Sequence, residues 1–474
     1  MPKTDIIDTI NKVGEEVILK GWVHNRRNMG KLIFIDLRDK TSVCQVVFLP
    51  NHKEALAEAD KLGLEYVVEI KGQVNGRPEK QINKDMPTGT VEIEALVLTI
   101  INQAETTPFE IKDQFKEEVN EELRLKYRYL DLRRERMKNN IILRHNVVRF
   151  MREYFYEQNF TEIETPFLSK STPEGARDFL VPARNFPGKF YALPQSPQQY
   201  KQMLMVAGME KYFQVVRCFR DEDARGDRQL EFTQLDVEKS FTDQEEIMNL
   251  IETMLVKLVE KLNQAPGFMP VGEQNKKYIS QVPFPRITYK EAMEKYKSDR
   301  PDLRKDKNDK NELAFCWVTD FPMFEKKDDG SYGAIHHPFT AIKAEDLDKL
   351  KSRDLDNITA QQYDLALNGN EIFGGSIRTH DPKILSEVFQ ALGHSEQEVQ
   401  EKFGHLLEAF KYGVPPHGGI ACGLDRLVMV LAGEDSIRDV ITFPKTLEGR
   451  DPLMDSPSAV ESEQLDELNI QIKK

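Results

Sequence analysis

The stretch from Val216 to Glu238 constrains this chain most. It reads as a strand ending in Arg220-Asp-Glu-Asp, a polar loop around Gly226, and a second strand that returns through Glu231-Phe232. Arginine at a strand end offers a planar fork that suits a phosphate. An aromatic on the returning strand can stack on a base. A charged hairpin laced with ion pairs is the plainer reading, but the order Phe-Arg-x-Glu, loop, Arg-x-x-Glu-Phe fits it poorly. Further strands are expected at 189–192, 212–219 and 232–240, and Gly418–Val430 passes from a Gly-rich strand into a helix. Strands in succession, without regular βαβ repetition, predict an α+β fold with an antiparallel sheet and flanking helices. Neither a G-x-x-x-x-G-K-[ST] loop nor a dinucleotide fingerprint occurs, which disfavours the enzymes built on them.

Upstream, five strand-like runs (17–27, 31–40, 42–48, 66–74 and 90–100) enclose one helical stretch, 51–62, after the third run. That is the order of an OB-fold barrel, although any small barrel fits the order alone. A long amphipathic helix is expected from Asn139, with Ile142, Val147, Phe150, Met151, Tyr154 and Phe155 on its apolar face. The net charge is −13, which argues against general nucleic-acid affinity. Yet Leu123–Arg152 holds ten basic residues against two acids. Such a run is either a solvated helix face or a surface for a polyanion. Four scattered cysteines, acids near the N-terminus and the lack of a long apolar run predict a cytoplasmic protein with no membrane anchor.

The segment F-R-D-E-D-A-R-G-D-R-Q-L-E-F-T-Q-L-D resembles motif 2 of class II aminoacyl-tRNA synthetases. Gly418-Gly-Ile-Ala-Cys-Gly-Leu-Asp-Arg-Leu427 resembles motif 3, and Phe160-Thr-Glu-Ile-Glu-Thr-Pro-Phe167 resembles motif 1. T-P-E-G-A-R-D-F, Q-S-P-Q-Q-Y-K, H-H-P-F-T and G-G-S-I-R are similar to segments of bacterial-type aspartyl-tRNA synthetases. The resemblance runs from about Val17 to Thr446. It implies an N-terminal five-stranded OB barrel for anticodon binding over 1–102, a hinge over 103–135, a class II catalytic domain over 136–447 and an acidic extension over 448–474.

The resemblance also implies roles. Arg220 is expected on the α-phosphate of ATP and Arg426 on the terminal phosphates, with Phe232 stacking on adenine. Asp221, Glu222, Gln229 and Glu371 are expected along the nucleotide, and Gly423, Leu424 and Asp425 with Arg426 at its far side. Asp364 and Glu371 match acids that hold Mg2+. For aspartate, Arg378 and Lys201 are expected on the side-chain carboxylate, held by Asp236. Glu174 is expected on the ammonium group, with Gln198 nearby. His336 and His337, if protonated, would add charge favouring aspartate. In the barrel, Arg27, Phe34 and Gln45 match anticodon-reading positions. Strand alternation sets Phe34 opposite Ile33 and Ile35.

These expectations make the partners L-aspartate, ATP, tRNA(Asp) and a second copy of the chain. Dimerisation follows from the first motif, where Pro166 is expected to end a strand. Whether tRNA(Asn) is also charged stays open, with Met29 as the candidate discriminator. The family's large insertion between motifs 2 and 3 is expected to be reduced to the charged linker Lys305–Glu312. A non-catalytic relative would have lost Arg220, Arg426, Asp364 or Glu371, and all four are present. An asparaginyl- or lysyl-type relative is disfavoured by G-G-S-I-R and Q-Q-Y-K.

Overall fold

The computed structural model describes residues 2–113, 119–172, 175–264 and 276–473. The chain divides into two compact units, Met1–Val119 and Asn120–Lys474. The first is a closed barrel of β1 (Glu16–Asn28), β2 (Ile33–Arg38), β3 (Val43–Phe48), β4 (Val67–Gly76) and β5 (Val91–Asn102) in the order β1-β2-β3-β5-β4. One helix, α1 (Lys53–Ala59), lies between β3 and β4 in sequence, where the helical spacing predicted it. Ile33, Ile35, Leu37, Val46 and Phe48 point inward and are buried. Alternation therefore turns Phe34, Asp36 and Gln45 to the outer face.

The second unit is built on an eight-stranded sheet. Its strands are β6 (Thr161–Glu162), β7 (Lys211–Phe219), β8 (Glu231–Ser240), β9 (Arg286–Thr288), β10 (Phe315–Thr319), β11 (Gln362–Leu367), β12 (Asn370–Ile377) and β13 (His417–Gly423). They lie in the order β9-β10-β11-β12-β13-β8-β7-β6. The six central strands are antiparallel, as expected; the two edge strands pair parallel to their neighbours. Helices α2 (Glu135–Glu157), α3 (Gln198–Val206), α4 (Gln244–Gln264) and α5 (Leu424–Ala432) flank the sheet. The main core joins Val147, Met151 and Phe155 of α2, Ile251 and Leu255 of α4 and Leu427 of α5 to Leu235, Val237 and Ile420 of the sheet. Burying each such side chain stabilises by roughly 1.5–3 kcal/mol. Among the described residues, no helix is long and apolar enough to cross a membrane.

Three expectations change here. On α2, Leu143 faces the core and Ile142 is exposed. The strand after α2 ends at Glu162, so Pro166 does not close it. Much of the basic run is paired within the chain, while Lys126, Arg136 and Arg149 stay exposed. Arg128 is buried and donates to the carbonyls of Arg438, Ile441 and Thr442. Arg124 pairs with Asp131 and Asp439, Arg136 with Glu434, Arg144 with Asp425 and Arg152 with Glu162. Buried cations require such partners, and several of these come from the distant C-terminal part of the chain.

Candidate active site

The face of the sheet away from the main core carries a cavity of about 410 Å3. Period-two alternation along β8 builds one wall. Leu235 and Val237 enter the core, while Phe232, Gln234 and Asp236 line the cavity and Glu238 lies in the same row. The neighbouring strand β13 must come very close. A Cβ on Gly419 would stand 1.9 Å from Glu238 Oε2 and 2.2 Å from the Val237 carbonyl oxygen. The glycine thus leaves room for a buried carboxylate over the strand.

Around that carboxylate lies a charge cluster. Arg378 is 1% exposed and donates from Nε (2.9 Å) and Nη2 (3.1 Å) to Glu238. Its Nη1 donates to His337 Nε2 (2.6 Å) and to Ser376 Oγ (2.5 Å). Lys201, on α3, donates to Asp236 Oδ1 at 2.7 Å and lies 3.2 Å from Glu238 Oε2. Asp236 was expected to hold both cations; it accepts from Lys201, and the bidentate partner of Arg378 is Glu238. No family match carried Glu238 into the expected site. The only signal was its spacing, two residues after Asp236 on one strand face.

Among the described residues, these bonds leave one N–H of Arg378 and one of Lys201 unused. Asp236 Oδ2 is buried without a hydrogen-bond partner there. Burial pushes the Asp236 carboxyl up, against the pull of Lys201. Burial also opposes ionisation of Glu238, but Arg378 and Lys201 overcome it and bring that carboxyl down to about 2.

The histidines do not carry the expected charge. Burial, then Arg378, Lys201 and Arg220, push His336 down to about 3. Burial and the neighbouring His336 and Arg378 push His337 well below its ordinary range. Arginine has no acceptor, so His337 Nε2 must be the acceptor and the proton sits on Nδ1, 3.2 Å from Thr340 Oγ1. His337 is a neutral prop for Arg378 rather than a second cation.

At the other end, Arg220 lies 5.1 Å over the Phe232 ring, and its Nε is buried without a partner among the described residues. Glu222 and Gln229 line the cavity; Gln229 Oε1 also accepts from the Lys445 backbone N–H. Asp221 does not line it, and its backbone N–H donates to the Arg177 carbonyl. Gly423, Asp425 and Arg426 line the cavity, whereas the Leu424 side chain is buried in the main core. Asp425 is occupied by the Thr233 N–H and by Arg144, which fastens α5 to β8 and α2. Gln198 and Gln195 are both in the lining. Gln195, absent from the expected set, bonds the Ala176 backbone and so pins the loop beside it. Glu174 lies outside the described residues.

Asp364 and Glu371 meet through a β-bulge. Asp364 pairs with Gly374, but the register slips so that Ala366 pairs with Glu371. The extra residue, Ile372, brings Glu371 onto the face of Asp364. Asp364 Oδ1 and Glu371 Oε1 then lie 3.3 and 3.2 Å from one point, the place a Cβ on Gly374 would take. That Asp364 oxygen is buried and has no hydrogen-bond partner among the described residues. Burial, then Glu371, push the Asp364 carboxyl far up. Two hard oxygens converging on a space with no side chain fit a divalent cation.

In the barrel unit, β1, β2 and β3 bring Arg27, Phe34, Asp36 and Gln45 side by side on the outer face. Arg27 lies in β1 and donates to Asp36 (2.9 Å) and Gln45 (3.1 Å). Gln45 in turn donates to Glu92. Met29 is 69% exposed in the turn between β1 and β2.

The chain is similar to known proteins over nearly its whole length. Residues 120–447 match the family described as tRNA synthetases class II (D, K and N), and residues 17–101 match the OB-fold nucleic acid binding domain. An aspartate–tRNA(Asp/Asn) ligase of Rubrobacter xylanophilus is 41% identical, covering 98% of this chain and 95% of that one. An aspartate–tRNA ligase of Macrococcus caseolyticus is 40% identical, covering 98% and 97%. The aspartyl-tRNA synthetase of Entamoeba histolytica shares the fold, with a TM-score of 0.74 at 24% identity over 94% of this chain and 91% of that one. The first alignment runs over 586 positions against 474 residues here, so more than a hundred positions of that relative have no counterpart in this chain. The sheet, the three motifs and these matches over nearly the whole length place the chain in the class II tRNA synthetases, as a member of the aspartate–tRNA ligase family.

Proposed function

We infer that the protein is an aspartate–tRNA ligase. It joins L-aspartate to AMP at the expense of ATP, then transfers the aspartyl group to the 3′ end of tRNA(Asp). The observation that carries this reading is the buried Arg378–Lys201 pair, with one N–H on each cation unused among the described residues. Two cationic donors lining one cavity match the two oxygens of a side-chain carboxylate. An amide in that place would set its own N–H groups against those donors, leaving buried groups unpaired at about 1–3 kcal/mol each.

In the first step the α-carboxylate of aspartate attacks the α-phosphorus, the bond to the bridging oxygen breaks, and pyrophosphate leaves. Arg220 stabilises the negative charge that builds on the α-phosphate, Phe232 seats the adenine, and Arg426 takes the terminal phosphates. Glu174 and Gln198 hold the ammonium group. Asp364 and Glu371 hold Mg2+, which when bound supplies charge neutralisation at the phosphates. The barrel's outer face, with Arg27, Phe34 and Gln45, reads the anticodon. A second copy of the chain is the assembly partner, supported by the exposed Phe167, Leu168, Leu180, Phe186 and Phe190. The four cysteines are free and buried, which fits work in a reducing cytoplasm.

Aspartate-dependent ATP–pyrophosphate exchange tests the activity, with asparagine and lysine as controls; exchange driven by either control instead of aspartate overturns it. The names of some relatives, which include both tRNAs, favour a second reading, in which tRNA(Asn) is also aspartylated. Charging of each purified tRNA separates the two.

Metal dependence should vary with pH. Burial and Glu371 raise the folded pKa of Asp364 above its ordinary 3.8, so below that raised value the metal-free site holds a proton that Mg2+ must displace. Apparent Mg2+ affinity therefore rises with pH through the raised value, and the Mg2+-induced gain in thermal stability grows in the same direction. A gain independent of pH in a series of melts would remove Asp364 from the metal site.

A further inference from the structure

The motif 2 loop carries an acid with no assigned role. Asp227 sits in the tight turn Arg225–Arg228, closed by reciprocal backbone bonds, and the Gly226 carbonyl accepts from the Ile437 N–H. The turn thereby fixes Asp227 at the cavity wall. From there it grips Arg426. Arg426 Nε donates to the Asp227 carbonyl (3.2 Å), its Nη2 lies 3.3 Å from Asp227 Oδ2, and its Nη1 donates to the Glu371 carbonyl (3.1 Å). The arginine expected to receive the terminal phosphates is thus already engaged. A second cation stands on the same carboxylate oxygen: Arg300 Nη1 is 3.7 Å from Asp227 Oδ2. Arg300 belongs to the 298–304 segment, just before the charged linker.

We propose that Asp227 is a positioning residue that holds Arg426 while the site is empty and passes to Arg300 when a polyphosphate arrives. This rests on the ligase reading, since it needs ATP or pyrophosphate as the guest. The physics is an exchange of partners. A terminal phosphate draws Arg426 off the carboxylate, and Asp227 would then stand uncompensated beside new negative charge. Arg300 supplies the compensation without leaving its place. The same carboxylate competes for Arg426 in the reverse direction, so it weakens retention of pyrophosphate as much as entry of ATP.

The test is aspartate-dependent ATP–pyrophosphate exchange with the full chain and three variants: Asp227→Asn, Arg300→Met and both together. Partly exposed ion pairs are worth about 0.2–1 kcal/mol, or roughly up to fivefold. Asp227→Asn should lower the KM values for ATP and for pyrophosphate by up to about that factor, with kcat not raised. Arg300→Met should raise the KM for ATP, and this rise should vanish in the Asp227→Asn background. A purely structural role would raise KM and lower the melting temperature in both single variants. An increase in KM from Asp227→Asn, or an equal effect of Arg300→Met in both backgrounds, overturns the proposal while leaving the ligase reading intact. No exchange by the unaltered protein removes both.

Discussion

Arg378→Leu should abolish aspartate-dependent exchange, with a loss in kcat/KM of roughly a hundred- to several-thousand-fold. That corresponds to the ~3–5 kcal/mol that follows from leaving a buried charge without its partner. The substrate carboxylate would lose a donor, and Glu238 would lose its bidentate partner while keeping the Lys201 contact at 3.2 Å. Lysine cannot substitute, because Nε and Nη2 of Arg378 grip both oxygens of Glu238 from one rigid plane. The same change has an acid signature. Glu238 titrates at about 2 in the folded chain because of Arg378 and Lys201, below its ordinary 4.5. Its stabilising contribution is full above that ordinary value and fades as pH falls toward about 2. Without Arg378 the folded value rises, so the leucine variant should lose stability at higher pH than the unaltered protein. Exchange assays with melts between pH 3 and 7 read both effects; near-normal exchange would take Arg378 out of substrate recognition.

Gly419→Ala should be nearly as damaging although it adds one methyl group. One of its contacts, at 2.2 Å, is with the Val237 backbone, so no side-chain rotation relieves it. The pairing of Glu238 with Gly419 in the ladder would have to open, which carries Glu238 away from Arg378. Overpacking of this kind costs about 1–3 kcal/mol of stability. The activity loss should exceed what that instability explains, because the Arg378 fork is displaced as well. Thermal unfolding with exchange kinetics below the melting range checks this. A variant with a lowered melting temperature but an unchanged KM for aspartate would separate Gly419 from the charge cluster.

Much of this architecture was legible in the residues. The barrel order, the returning strand at Phe232–Ser240 and the Gly-rich strand feeding a helix all follow from local pattern, because alternation and turn chemistry are properties of neighbouring residues. The placement of Phe34 opposite Ile33 and Ile35 came from the same period. The candidate site residues follow from the resemblance, and the fold brings most of them to one cavity.

Other features came from pairings that no local pattern contains. The choice of Glu238 as the fork for Arg378 joins residues 140 positions apart. The bulge at Ile372 depends on how two strands register. The pairing of Arg124, Arg136 and Arg144 in the basic run depends on Asp439, Glu434 and Asp425, hundreds of positions away. The charge of His336 and His337 is a matter of burial and surrounding cations, and neither exists until the chain closes around them. Sequence alone determined which groups this protein carries and which faces of its strands they occupy, because those depend on backbone periodicity. Tertiary structure decided their partners and protonation, because electrostatic energy in a dry cavity depends on what has been brought near and how much water has been excluded.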